Sequence, residues 1–264
     1  MHGNLDASLH LNRDSGSAPP ALWLATPAAQ TYFDPTLLTE TDRARFLASR
    51  NPRRLEEFKV SRALQAVASS GRTVHSLSHS GGFAALLTAP RGSGDASEAA
   101  LPFDQSLLAV GVDLEISRPR DVLRIARFAF SKEEVVALEQ QTDSARDDLF
   151  YTLWTMKEAL AKALRLNLID ALRQCVFTGA PEAVAAASIW PSASIWSGSA
   201  PTPSPWAIQV FQPRAGFFLA AACVGAGHPQ ALRTWEWPPQ QAARWPVIAA
   251  AVAAAPAGVA VLPG

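Results

Sequence analysis

The segment 108–116, LAVGVDLEI, limits the possible folds more than any other part of this 264-residue chain. Its even positions, Leu108, Val110, Val112, Leu114 and Ile116, are all apolar, while Gly111, Asp113 and Glu115 stand at odd ones. A period of two is that of a β-strand with one face in a core and the other against something polar. The two carboxylates therefore leave the same side of the strand, their Cα atoms roughly 7 Å apart by the strand rise. Such a pair can share a hard divalent ion, although an isolated D-x-E more often marks a solvated strand face. Gly111, one same-face position earlier, leaves room for something to approach the backbone.

Helices and hairpins are expected on both sides of this strand. Residues 145–166 have helical periodicity, with Leu153, Met156, Leu160 and Leu164 in one stripe and Glu158 and Lys162 nearly opposite. A Glu to Lys pair four residues apart is worth about 0.2–0.5 kcal/mol, the usual structural explanation of such a pair. Trp154, one turn before Glu158 on the same polar side, needs a cover for its indole. Ser131 with Glu134 three residues later reads as a capping box after a short helix over 121–130.

The first half holds a short strand within 23–32 and helix-forming residues over 34–70. Strands at 74–80 and 83–88 flank the turn formers Gly81 and Gly82. Between residues 40 and 72 eight basic residues face four acidic ones, either a solvated helix face or an anion site. A second hairpin is expected from 206–212 and 217–224, with loops at 91–100 and 191–205. This gives an N-terminal arm (1–20), a first lobe (21–105), a second lobe with the acidic strand (106–230) and an Ala/Pro-rich tail (231–264).

Twenty-three basic residues balance 23 acidic ones, so no global field draws the chain to nucleic acid or to an anionic membrane. Two unpaired cysteines and five scattered histidines make neither a disulfide framework nor a zinc cluster, which fits a reducing, cytoplasmic setting. The first 20 residues lack the apolar run of an export signal. The most apolar stretch, 247–255, is far shorter than the roughly 20 residues of a spanning helix.

Three segments, in order, resemble the 4′-phosphopantetheinyl transferases of the larger, monomeric Sfp type. They are Ser78-His79-Ser80; Gly111-Val112-Asp113-Leu114-Glu115; and Phe130-Ser131-Lys132-Glu133 followed by Trp154, Lys157, Glu158, Ala159 and Lys162. The block W-x-x-K-E-A-x-x-K is the most specific of them. The resemblance implies an α/β (α+β) fold of two pseudo-duplicated lobes, each a small antiparallel sheet with a long helix. It implies transfer of the phosphopantetheine arm of coenzyme A to a serine of an acyl or peptidyl carrier protein, with release of 3′,5′-ADP.

By the same resemblance Asp113, Glu115 and Glu158 hold Mg²⁺, Glu158 is the base for the serine, and Lys162 acts on the leaving phosphate. Ser78, His79, Arg62, Arg72 and Lys157 are the implied coenzyme A contacts. The Lys157 stem lies near the apolar stripe and its ammonium is expected on the phosphates. His75 and Ser76 stand where the family usually has an aromatic residue and Asn. Gly71, Arg72 and Thr73 stand in place of a Gly-Lys-Pro sequence that the family carries farther upstream.

A two-metal nuclease also begins with a D-x-E strand, but after Asp170 the chain has no Asp and only Glu182 and Glu236. An inactive relative that docks a carrier protein without transfer is the non-enzymatic alternative; retention of three carboxylates and Lys162 argues against it.

Overall fold

The computed structural model describes residues 20–68, 73–90, 109–179, 194–225, 232–238 and 241–253. The arm, Arg72, the loop at 91–100 and the lobe boundary near residue 105 lie outside the described residues. The chain runs β1 (Ala21–Ala25), α1 (Glu40–Ala48), α2 (Pro52–Ala68), β2 (Thr73–Ser80), β3 (Phe83–Pro90) and β4 (Ala109–Ile116). It continues through α3 (Val122–Ala129), α4 (Lys132–Glu139), α5 (Asp143–Leu164), α6 (Leu168–Gln174) and β5 (Val176–Gly179). Strands β6 (Ser194–Ser199), β7 (Trp206–Phe211), β8 (Phe217–Val224), β9 (Arg233–Trp237), β10 (Gln241–Ala243) and β11 (Val247–Ala253) complete it.

Local chemistry accounts for the ends of these elements. Asn51 Oδ1 accepts the N–H groups of Arg53 and Arg54 at 3.0 and 3.3 Å, and Pro52, which has no N–H to lose, opens α2. The capping box forms as expected: Glu134 N–H donates to Ser131 Oγ while Ser131 N–H donates to Glu134 Oε2. Gly81 and Gly82, at φ +59° and +85°, make the two-residue turn between β2 and β3. The short strand expected within 23–32 is β1, which begins two residues earlier at Ala21, and from Pro27 the chain turns into a 3-10 helix, Pro27–Tyr32.

The strands form two sheets, ordered β10-β9-β1-β3-β2 and β4-β8-β7-β11-β6-β5. All pairs are antiparallel except β1 with β9 and β6 with β11. Alternation then divides the core into three. Trp23, Ala84 and Leu86 pack with Val60, Ala63 and Leu64 of α2. Leu22, Leu24, Ala85 and Leu87 meet Val110, Val112, Leu114 and Leu219 where the sheets face each other. Ile208, Val210, Phe218 and Ala220 lie under α5. This is the mixed, two-sheet architecture that the resemblance implied, with helices on the outer faces.

Two stretches differ from expectation. Residues 194–199, read as loop, form β6 between β5 and β11. The stretch 231–264, read as a tail, contributes β9 and β10 to the first sheet and β11 to the second. Trp235 stacks on Trp23 with ring centroids 5.4 Å apart, and Trp237 is buried against Tyr32. Chain from beyond the second lobe is thus part of the first lobe's core. Both cysteines are buried and free, and no helix among the described residues is long and apolar enough to cross a membrane.

Candidate active site

Because Val110, Val112 and Leu114 point into the space between the sheets, Gly111, Asp113 and Glu115 must face α5. The space left by Gly111 is filled by that helix. A Cβ there would lie 1.9 Å from the Ala159 carbonyl oxygen and 2.7 Å from the Ala163 nitrogen. Glycine therefore lets α5 press against β4, and the next two odd positions of β4 are carried up to Glu158 and Lys162.

One ligand atom each from Asp113, Glu115 and Glu158 lies within 4.8 Å of the others. Lys162 Nζ is 2.7 Å from Asp113 Oδ1 and 4.0 Å from Glu158 Oε2. Ser78 Oγ, from β2, donates to Asp113 Oδ1 at 2.9 Å and accepts from Lys162 at 3.0 Å. Asp113 is almost fully buried, yet its Oδ2 has no hydrogen-bond partner. Three carboxylates against one ammonium leave the cluster short of positive charge. Burial first, and then the charge of Asp113, push the Glu158 carboxyl up to about 7 and raise that of Glu115.

Trp154 packs against Phe130 and Phe150, with centroids 6.2 and 5.6 Å away, which supplies the cover its indole required. Its Nε1–H is buried without a well-formed hydrogen bond, beside Glu158, whose charged form it weakly favours.

Lys157 goes elsewhere, and its expected role on phosphates has to be corrected. Its side chain is completely buried, with Nζ 2.9 Å from Glu134 Oε2 and donating to the carbonyls of Leu172 and Cys175. Adjacent helical residues are turned by 100°, and this side of α5 is covered by α4, α6 and the start of β5 rather than by solvent. Burial pushes the ammonium below the ordinary lysine range, while Glu134 opposes that shift. Glu134, legible in the sequence only as a capping residue, is also the counter-ion of Lys157 and accepts the Phe177 N–H at 2.9 Å.

The first-lobe residues separate by strand parity. Ser78 faces β4 and α5, whereas His79 faces α2, its Nδ1 3.5 Å from Glu57 Oε2. Arg62 of α2 donates to Asp42 Oδ1 at 3.0 Å and to Gln65 Oε1 at 2.9 Å, with its guanidinium 5.0 Å over the Phe58 ring. It lines a pocket with Asp34, Leu37, Leu38, Thr39 and Asp42. The structure therefore joins Asp113, Glu115, Glu158, Lys162 and Ser78 in one cluster, and places Arg62 and His79 on the α2 side.

An oxygen-only cluster of carboxylates with an adjacent lysine, between a strand and a long helix, offers the ligand type that hard cations prefer. Residues 109–211, from β4 to β7, match the family model of the 4′-phosphopantetheinyl transferase superfamily. The chain is also 40% identical over 68 residues to a Synechocystis sp. protein whose name assigns it to the 4′-phosphopantetheinyl transferases. That aligned stretch covers 25% of this chain and 28% of the relative.

Proposed function

We propose that this protein transfers the 4′-phosphopantetheine arm of coenzyme A to a serine hydroxyl of an apo acyl or peptidyl carrier protein, releasing 3′,5′-ADP. The observation that carries this reading is the convergence of Asp113, Glu115 and Glu158 beside Lys162, inside the segment that matches the superfamily.

The residues suit Mg²⁺. All three donors are carboxylates, the ligand type this ion prefers, and the unpartnered Oδ2 of Asp113 is a buried acceptor in need of a cation. When bound, Mg²⁺ supplies charge neutralisation at the pyrophosphate. The chain's own groups do the rest. Glu158, ionised in the loaded site, takes the proton of the attacking serine, directly or through water. The serine oxygen bonds to the phosphorus that bears the pantetheine arm, and the bond from that phosphorus to the bridging oxygen breaks. Lys162 stands where its ammonium can stabilise or protonate the departing phosphate. Arg62, whose guanidinium donates to Asp42 and Gln65, is the first-lobe candidate for the nucleotide end.

Arg118, Arg120, Arg124 and Arg127 form the docking edge for the acidic helix of a carrier protein in this reading. Arg120 stacks over Tyr151 and Arg127 pairs with Glu139 at 2.7 Å, while Arg124 is exposed beside them on α3.

Single replacement of Asp113, Glu115 or Glu158 by Ala tests the assignment. Transfer should be lost at limiting Mg²⁺ with the far-UV circular dichroism unchanged. Full activity of Asp113→Ala under those conditions would reject the metal site.

A further inference from the structure

Strand β2 is an edge of the first sheet and β4 an edge of the second, and the two edges lie side by side. Three contacts mark the seam between them. Ser76 Oγ accepts the Val112 N–H at 3.0 Å, and Ser78 Oγ lies 2.9 Å from Asp113 Oδ1. Farther on, Gly81 packs on Ile116, whose Cδ1 would be 2.7 Å from a Cβ at that glycine. Partner positions rise together along the two strands, so β2 and β4 run in the same direction.

Edge strands leave main-chain groups without ladder partners. Val112 is fully buried, and its N–H finds an acceptor in a side chain of the other sheet. Leu22, Leu24, Ala85 and Leu87 already press the first sheet onto Val110, Val112 and Leu114. Such apolar attraction is non-directional, so it does not by itself fix how far β2 stands along β4. A hydrogen bond, which demands a distance and an angle, does. Ser76 and Ser78 are two residues apart and leave β2 on the same side. Fixing Ser76 on the Val112 amide therefore sets Ser78 beside the next residue, Asp113, where Lys162 Nζ also reaches it at 3.0 Å.

We propose that Ser76 is a positioning residue. Its hydroxyl sets the register of β2 against β4, and with it the placement of whatever part of coenzyme A the first sheet and its helices hold, relative to the carboxylates. Asp113, Glu115, Glu158 and Lys162 all stand on β4 and α5, which pack directly on each other, so a cation alone does not need the seam. A coenzyme A molecule held at its pyrophosphate by this cluster and elsewhere by the first sheet's residues spans it. This inference rests on the transfer reading of the site.

Ser76→Thr and Ser76→Val test it as a pair. Both side chains are β-branched, suit a strand and have nearly the same shape, and only Thr keeps the oxygen. Three properties of the full chain are measured: amide hydrogen exchange at Val112, Mn²⁺ binding without coenzyme A, and coenzyme A binding with excess Mg²⁺. Ser76→Thr should match the parent in all three. Ser76→Val should exchange the Val112 amide faster while keeping the parent affinity for Mn²⁺. It should also bind coenzyme A about tenfold more weakly, because an unpaired buried amide shifts the register equilibrium by about ten- to a hundredfold. Equal coenzyme A affinity in the two variants would overturn the proposal and leave Ser76 a local partner of one amide. Loss of Mn²⁺ affinity in Ser76→Val would overturn it as well, since the disturbance would then lie within the carboxylate cluster. A parent chain that binds no coenzyme A would instead overturn the transfer reading, and this inference with it.

Discussion

Lys157 and Glu158 are neighbours on α5 whose side chains leave it about 100° apart, into different surroundings. Lys157 is sealed in an ion pair with Glu134, while Glu158 projects toward Asp113. Phe150, Leu153, Met156 and Leu160 are fully buried, each contributing about 1.5–3 kcal/mol, and they hold the helix against its surroundings. Apolar contacts tolerate small rotations, whereas an ammonium shared between one carboxylate and two carbonyls does not. The buried pair thus helps to fix the direction in which Glu158 points.

Lys157→Met should destabilise the fold by about 3–5 kcal/mol, because it leaves Glu134 buried without its counter-ion. The double variant Lys157→Met with Glu134→Gln should recover part of that loss. Urea unfolding measures both. Unchanged stability with weakened coenzyme A binding would return Lys157 to the phosphates.

Gly111→Ala should separate β4 from α5, since its Cβ would sit 1.9 Å from a main-chain oxygen. Overpacking of this kind costs about 1–3 kcal/mol, and here the strain falls on the contact that brings Glu158 to Asp113. Turnover and Mn²⁺ affinity should both fall. Parent-like values for stability and Mn²⁺ affinity would show that the helix does not need this approach.

The Glu158 carboxyl, raised to about 7, gives a pH dependence with a definite sign. In chelator-treated protein the folded state holds this proton more tightly than the unfolded chain does. Its stabilising contribution is complete below about pH 4.5 and is lost as pH rises through about 7. A divalent cation needs the ionised form and reverses the loss. The gain in melting temperature on adding Mg²⁺ should therefore be larger at pH 8 than at pH 5.5. Equal gains would place the binding of this ion away from Glu158.

Replacing Arg124 and Arg127 together with Glu should raise the KM for the carrier protein and make it less sensitive to salt. Electrostatic docking mainly sets encounter rate and is screened beyond about 8 Å at physiological ionic strength. Coenzyme A binding should not change. An unaltered carrier KM at low salt would shift docking to the apolar surface around the exposed Phe128.

Where the sequence was legible, the determinant was local. Alternation over 109–116 specified a strand and its acidic face, Gly81 and Gly82 a tight turn, and Ser131 with Glu134 a helix start. Where it was not, the deciding partner lay far along the chain. The strand Val247–Ala253 is mostly Ala, which has little preference for β structure, and it is held by β6 and β7 on either side. Trp235 finds Trp23 across more than 200 residues. Lys157 lay beside the apolar stripe of α5, but nothing local said that α4 and α6 would close over its ammonium. The vacant face at Gly111 suggested room for an approaching group, and only the packed helix shows that the group is α5.

The measurement that bears most directly on the proposed function is release of 3′,5′-ADP from coenzyme A in the presence of a panel of apo carrier proteins, with carrier mass followed in parallel. The expected result is Mg²⁺-dependent release matched mole for mole by phosphopantetheine gained on a carrier serine, and abolished by Asp113→Ala. Binding of Mg²⁺ and coenzyme A without transfer to any carrier, or release that persists at limiting Mg²⁺ in Asp113→Ala, would contradict it.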